Sequence, residues 1–255
     1  MANGAASGHV PAVRPRVYPA GRAVLLLAVC APELAGRRLK IEGRRVQAVR
    51  FGRLALLLSF VDSTAYATAE LERKRSDAGW LAAEARVLEG AVERARSSVA
   101  VLPMRLLTVF PHSGALEESA KEQYARWCRA LTRLGPKREC VVHLYSGPHA
   151  PPGGEPYLVR ISQRSSRSAR APALKGEAAV VAHAQQVWLA CSRIATATRR
   201  VQAGDRRGAL WSAALLVNER DVSALSALLA ASAENGSPLG VSAYLEMPRA
   251  PFTFV

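Results

Sequence analysis

The alternation of apolar and polar positions divides the chain into short apolar runs and longer amphipathic stripes. Runs at 22–29, 38–42, 45–50 and 54–61 have the length of strands. Gly43 with Arg44, and Gly52 with Arg53, supply tight turns between the last three, so the segment reads as an antiparallel meander. A helix follows over 77–96, where Leu81, Ala85, Leu88, Val92 and Ala95 share one face and Asp77 stands as N-cap. The apolar run 99–110 contains Pro103, which cannot donate to a ladder. It reads as an edge strand, or as two short extended pieces broken at that proline. Leu116, Ala120, Tyr124, Trp127, Leu131 and Leu134 mark a second amphipathic helix, stopped by Gly135 and Pro136.

Beyond that stop, 140–145 reads as a strand. From 147 to 173 the composition turns to Pro, Gly, Ser and Arg, with a short strand at 157–161. A long helix over 175–201 carries the stripe Val180, Ala184, Val187, Cys191, Ile194, Thr198 and Val201. A strand over 209–217, a helix capped by Asp221 and ended by Gly236 and Pro238, and a strand over 239–245 complete the pattern. Strands and helices mix without strict alternation, which predicts an α+β fold of two domains, the first an antiparallel sheet with a helix. Residues 1–21 read as a flexible extension, 22–112 as the N-terminal domain and 113–255 as the second, with a basic loop at 147–173.

Composition narrows the partners. The 255 residues are 49 % hydrophobic and 22 % charged, a globular balance. Lys and Arg number 35 against 20 Asp and Glu, a net charge of +15 that favours an acidic surface without saying which kind. The four cysteines, at 30, 128, 140 and 191, are too dispersed for a disulfide framework and read as reduced, buried thiols. Arg14, Arg16 and Arg22 before the apolar run 23–30 imitate a signal peptide. The matching run at 54–61 favours a buried strand instead. No stretch approaches the roughly 20 apolar residues of a membrane helix.

The search for chemistry finds no assembled site. Gly153-Gly154 lacks the preceding strand and following helix that a phosphate loop needs. Cys128, Cys140, His143 and His149 lie close enough in sequence to raise zinc. However, Cys128 is mid-helix, and Cys140 and His143, three apart on a strand, face opposite sides of a sheet. Ser146-Gly147 beside His149 is turn composition, and no nucleophile elbow occurs. Glu117 and Glu118 read as the first turn of a helix, favourable to its dipole. The residues therefore indicate no catalytic group, metal or cofactor. Arg160, Arg164, Arg167 and Arg170 form the basic candidate for partner binding. They could contact phosphates, which keeps a nucleic-acid-binding regulator as the alternative. The segment lacks interleaved aromatics and any nucleic-acid motif, so a solvated loop that steers an acidic protein is the preferred reading.

One segment carries a resemblance. Leu102, Pro103, Met104, Arg105, Thr108, Val109 and Phe110 match a Leu-Pro-(Leu/Met)-Arg-Phe-Gly-Thr-Val-Phe signature, with Leu106 and Leu107 in place of Phe-Gly. At the chain end Pro248, Pro251, Phe254 and Val255 match a Pro-rich terminus of the same family, while Met247 and Ala250 depart from it. The chain thus resembles the gas vesicle GvpF/GvpL family over about residues 22–255. The resemblance implies a second domain of modified ferredoxin-like fold, no enzymatic activity and a cytoplasmic location. It also implies a minor place in the gas vesicle, with the small hydrophobic shell protein and other gas vesicle accessory proteins as partners and no membrane. Read from the residues, the preferred role of the signature positions is structural, with Pro103 breaking a strand and Arg105 pairing with a buried carboxylate; the alternative is that Arg105 meets a partner. Phe252 and Phe254 anchor the chain end.

Overall fold

The computed structural model describes residues 21–146, 158–160, 175–201, 209–246 and 249–254. The extension up to residue 20, most of the basic loop, Pro248 and Val255 lie outside them.

The meander comprises β1 (Arg22–Cys30), β2 (Arg38–Ile41), β3 (Arg44–Phe51) and β4 (Leu54–Asp62). Next come α1 (Thr68–Lys74), α2 (Ala78–Arg96), β5 (Val101–Pro103), β6 (Val109–Phe110) and α3 (Ser113–Leu134). The antiparallel sheet runs β2-β3-β4-β1-β5, with β6 also on β1. The apolar run that imitated a signal peptide is β1, inside this sheet. The β2–β3 turn falls on Glu42 and Gly43, one residue before the expected pair, because both take positive φ (47° and 78°) and Arg44 already belongs to β3. Asp77 caps α2 as expected, accepting from the Trp80 N–H at 2.9 Å. α1 was not anticipated. It buries no residue, and its Glu70 pairs with Arg73 and Lys74 one turn on.

Both faces of this sheet are covered. Arg44 and Phe51 stand seven residues apart on β3 and so point to opposite sides. Arg44 meets Glu84 of α2, whereas the Phe51 ring lies 6.0 Å from that of Tyr124 on α3. The double cover explains why β1 after Arg22 and the first five residues of β4 are apolar without alternation. It also places α3. The chain divides between Gly135 and Pro136, so α3 belongs with the N-terminal unit, and the boundary expected after residue 112 lies one helix later.

The C-terminal unit contains β7 (Lys137–Ser146), β8 (Leu158–Arg160), α4 (Lys175–Ile194), β9 (Ala197–Arg200), β10 (Ala209–Asn218), α5 (Val222–Gly236) and β11 (Val241–Glu246). Its antiparallel sheet runs β8-β11-β7-β10-β9. Without β8, the order β7-α4-β9-β10-α5-β11 with strands fourth-first-third-second is the ferredoxin-like arrangement, and β8 extends its edge. Cys140, Val142 and Leu144 of β7 alternate into the core that α4 and α5 share. The helix expected over 175–201 stops at Ile194. Thr198 lies in β9 opposite Leu215, and Val201 donates to Ser212, so the helical stripe continued by coincidence into a strand. Asp221 occupies the N-cap position of α5, but its side chain caps no N–H and instead accepts from Asn218 at 2.9 Å. Among the described residues, no helix is long and apolar enough to cross a membrane.

Candidate partner-binding cleft

The signature segment is folded by its backbone. Leu102 and Pro103 pair with Val29 and Ala28, and Val109 and Phe110 pair with Leu25 and Val24. Between these pairs Met104 donates to the Leu27 carbonyl, and the Thr108 carbonyl accepts from Leu26, both at 2.9 Å. Residues 105–108 are left to turn outward. The Arg105 carbonyl accepts the Thr108 N–H at 3.2 Å and its hydroxyl at 2.8 Å. Leu107 is the third residue of this turn, at φ 62°. That conformation suits glycine, and the related signature carries glycine here. The left-handed backbone costs a leucine about 1–2 kcal/mol. Leu107→Gly should therefore be at least as stable as the parent, and Leu107→Val less stable, because a β-branched side chain fits the left-handed region worse than leucine does. Urea midpoints of the two variants check this, and a more stable valine variant would contradict the strain.

The turn forms one wall of a cleft of about 660 Å³, and α3 forms the other. Leu102, Pro103, Met104, Trp127 and Ala130 supply apolar lining, and Arg105, Arg126, Arg129 and Arg133 supply charge. Trp127, only 7 % exposed, anchors α3 to the core and presents the flanking arginines outward. A second cleft of about 530 Å³ shares Arg129 and Arg133 and adds Arg53, Leu54 and Leu131. No carboxylate lines either cleft.

Arg105 corrects the sequence reading. It is exposed, and among the described residues no carboxylate pairs with it, so it is not a buried ion-pair partner. Leu102 and Pro103 are buried, while Met104, Thr108, Val109 and Phe110 are half-buried. Of the four candidate arginines in the basic loop, only the Arg160 backbone is described, paired with Tyr244, and Arg164, Arg167 and Arg170 lie outside the described residues. Among the described residues, the arginines that line a cleft come from α3 and the signature turn, together with Arg53 in the second cleft. The signal was present in the sequence as arginines at positions 126, 129 and 133, three and four apart on one helix.

The C-terminal motif is tied down by a residue the sequence reading passed over. Glu139 of β7 is fully buried. Its carboxylate accepts from Arg249 at 2.8 and 3.0 Å, from the Thr253 hydroxyl at 2.8 Å and from the Thr253 N–H at 2.6 Å. Glu139 and Arg249 also exchange backbone hydrogen bonds at 2.9 Å. Pro251 is buried, and Phe252 and Phe254 are half-buried.

The other candidates separate. Cys128 lies on α3 and Cys140 in the C-terminal core, where burial pushes the Cys140 thiol up to about 11 and keeps it protonated, a poor metal ligand. His143, on the opposite face of β7, meets the Ser212 hydroxyl at 2.7 Å and Glu246 at 2.8 Å. Ser212 and His143 are each 4 % exposed, so this chain of contacts satisfies buried groups and does not present a nucleophile. His149 lies outside the described residues, among which no three His, Cys, Asp or Glu side chains form a metal-holding group. Glu117 and Glu118 sit one turn into α3, whose cap is the His112 ring accepting from Ala115.

Comparison with known proteins agrees with this architecture. No curated protein sequence matches the chain. The crystal structure of the gas vesicle protein GvpF from Anabaena sp. superposes with a TM-score of 0.62 at 12 % identity, covering 91 % of this chain and 98 % of that one. The crystal structure of GvpF from Microcystis aeruginosa gives 0.57 at 13 % identity, with the same coverage. At these identities the likeness is one of fold. The family model described as gas vesicle synthesis protein GvpL/GvpF matches residues 23–255, and the chain belongs to that family.

Proposed function

We propose that this protein acts stoichiometrically in gas vesicle assembly, binding the small hydrophobic shell protein and remaining with the vesicle as a minor component. Family membership over 23–255 supports the process. The observation that carries the binding step is the cleft in the N-terminal unit, walled by signature residues between 102 and 108 and lined by apolar side chains beside arginines. Shell subunits with exposed apolar surface aggregate unless that surface is covered, and a folded partner with such a cleft holds them until assembly. Other gas vesicle accessory proteins are further partners in this reading, the location is cytoplasmic, and no step requires catalysis or a cofactor.

Co-expression of the tagged chain with the shell protein of its own host tests this. The shell protein is expected to co-purify in approximately stoichiometric amounts at low salt. Its absence from the eluate, with both proteins expressed, would sink the reading.

A further inference from the structure

We infer that the cleft selects a segment bearing carboxylates beside apolar side chains, so that charge as well as hydrophobicity decides which part of the shell protein docks. This rests on the function proposed above and names the chemistry of the segment recognised.

The arginines carry the argument. Arg105 is exposed on the turn, and Arg126, Arg129 and Arg133 are exposed along α3. The first and last of the three on α3 are seven positions apart, about 10 Å of helix. Like charges three and four residues apart destabilise a helix by a few tenths of a kcal/mol per pair. Arg133 is explained locally, because a cation in the last turn favours the helix dipole. Arg126 and Arg129 gain no such benefit. Arg126 reaches only Gln123, at 3.5 Å, and among the described residues neither Arg126 nor Arg129 pairs with a carboxylate. Glu122 stands one turn before Arg126 at the favourable i,i+4 spacing, but Arg129 has no acidic residue three or four positions away, so local helix energetics leave Arg129 unaccounted for, whereas an incoming anion explains it.

The form of the cleft selects the kind of anion. Guanidinium groups bind carboxylates through paired N–H donors. The surface between these arginines is Leu102, Met104 and Ala130, which takes an aliphatic side chain. A nucleic acid would need aromatic faces exposed for stacking, and the one aromatic in the lining, Trp127, is buried. The fit is thus a peptide, best a helix laid along α3, with two or three carboxylates spread over about 10 Å around an apolar anchor.

The test uses the full chain co-expressed with the shell protein. It compares the parent with R126Q/R129Q/R133Q and with R126K/R129K/R133K, each captured at about 0.1 M and about 1 M salt. That change shortens screening from about 10 Å to about 3 Å. The parent should lose about ten-fold of its captured shell protein at high salt, and the glutamine variant should show a similar loss already at low salt. The lysine variant, which keeps the charge, should capture more than the glutamine variant. Because the three side chains are exposed, all forms should unfold at similar urea concentrations. If the parent captures shell protein but salt and the glutamine substitutions change nothing, this inference fails while the proposed function stands. If the parent captures none, the proposed function itself fails. A DNA duplex of about 20 base pairs that binds the parent and displaces the shell protein would overturn the peptide in favour of nucleic acid.

Discussion

Arg44→Ala should destabilise the N-terminal unit by about 3–5 kcal/mol, the range expected when one partner of a buried ion pair is removed. Glu84 is 3 % exposed and faces the sheet from α2. Arg44 reaches its two oxygens at 2.6 Å each, and the Tyr66 hydroxyl donates to Oε1 at 2.7 Å. Without Arg44 the carboxylate keeps only the tyrosine. The cost should come from the orphaned charge rather than from the lost contact itself, and Arg44→Met combined with Glu84→Leu should therefore recover most of the loss. Urea unfolding of the single and double variants measures this, and additive losses would contradict it. Burial raises the Tyr66 pKa, and its hydrogen bond to Glu84 raises it further. The stability contributed by Tyr66 is thus fully present below about pH 10 and declines as the pH rises from there.

Glu139→Gln should cost the C-terminal unit about 3 kcal/mol although it conserves volume. Every group facing that carboxylate is a donor, namely two nitrogens of Arg249 and the hydroxyl and N–H of Thr253. An amide places an NH₂ where one acceptor stood, and a donor then faces a donor. Arg249 is 47 % exposed on its side chain, so solvent screens part of its contribution and the magnitude sits at the lower end for a buried pair. Release of the C-terminal segment should accompany the loss. Limited carboxypeptidase digestion would then shorten the variant faster than the parent. Equal digestion and an unchanged urea midpoint would show that Glu139 does not hold the terminus.

The elements legible in the sequence were those whose pattern is local. The apolar runs of β1 and β4, the Asp77 cap and the α3 stripe ending at Gly135 all appear as expected. The α+β class followed from their order. What failed depended on neighbours. Thr198 and Val201 continue the α4 stripe numerically, and only pairing with β10 shows them to lie beyond the helix. The assignment of α3 required knowing that β1 and β4 need cover on both faces. Arg105 was read from its apolar flanks as buried, but the turn set by Thr108 and Leu107 carries it outward. Glu139 drew no attention in the sequence because its donors are 110 and 114 residues away. The arginines of the cleft were readable as a helical row, but the wall opposite them comes from a separate segment.

The central claim, that the shell protein docks in the cleft between the signature turn and α3, is tested most directly by locating the captured partner. In the co-expression experiment, a photo-crosslinking amino acid replaces Gln123, a half-buried residue of the cleft lining. A second preparation carries it at Glu72, exposed on α1 and absent from the cleft. The account predicts a crosslink to the shell protein from position 123 and little or none from position 72. Crosslinking from position 72 alone, or equally from both, would contradict it.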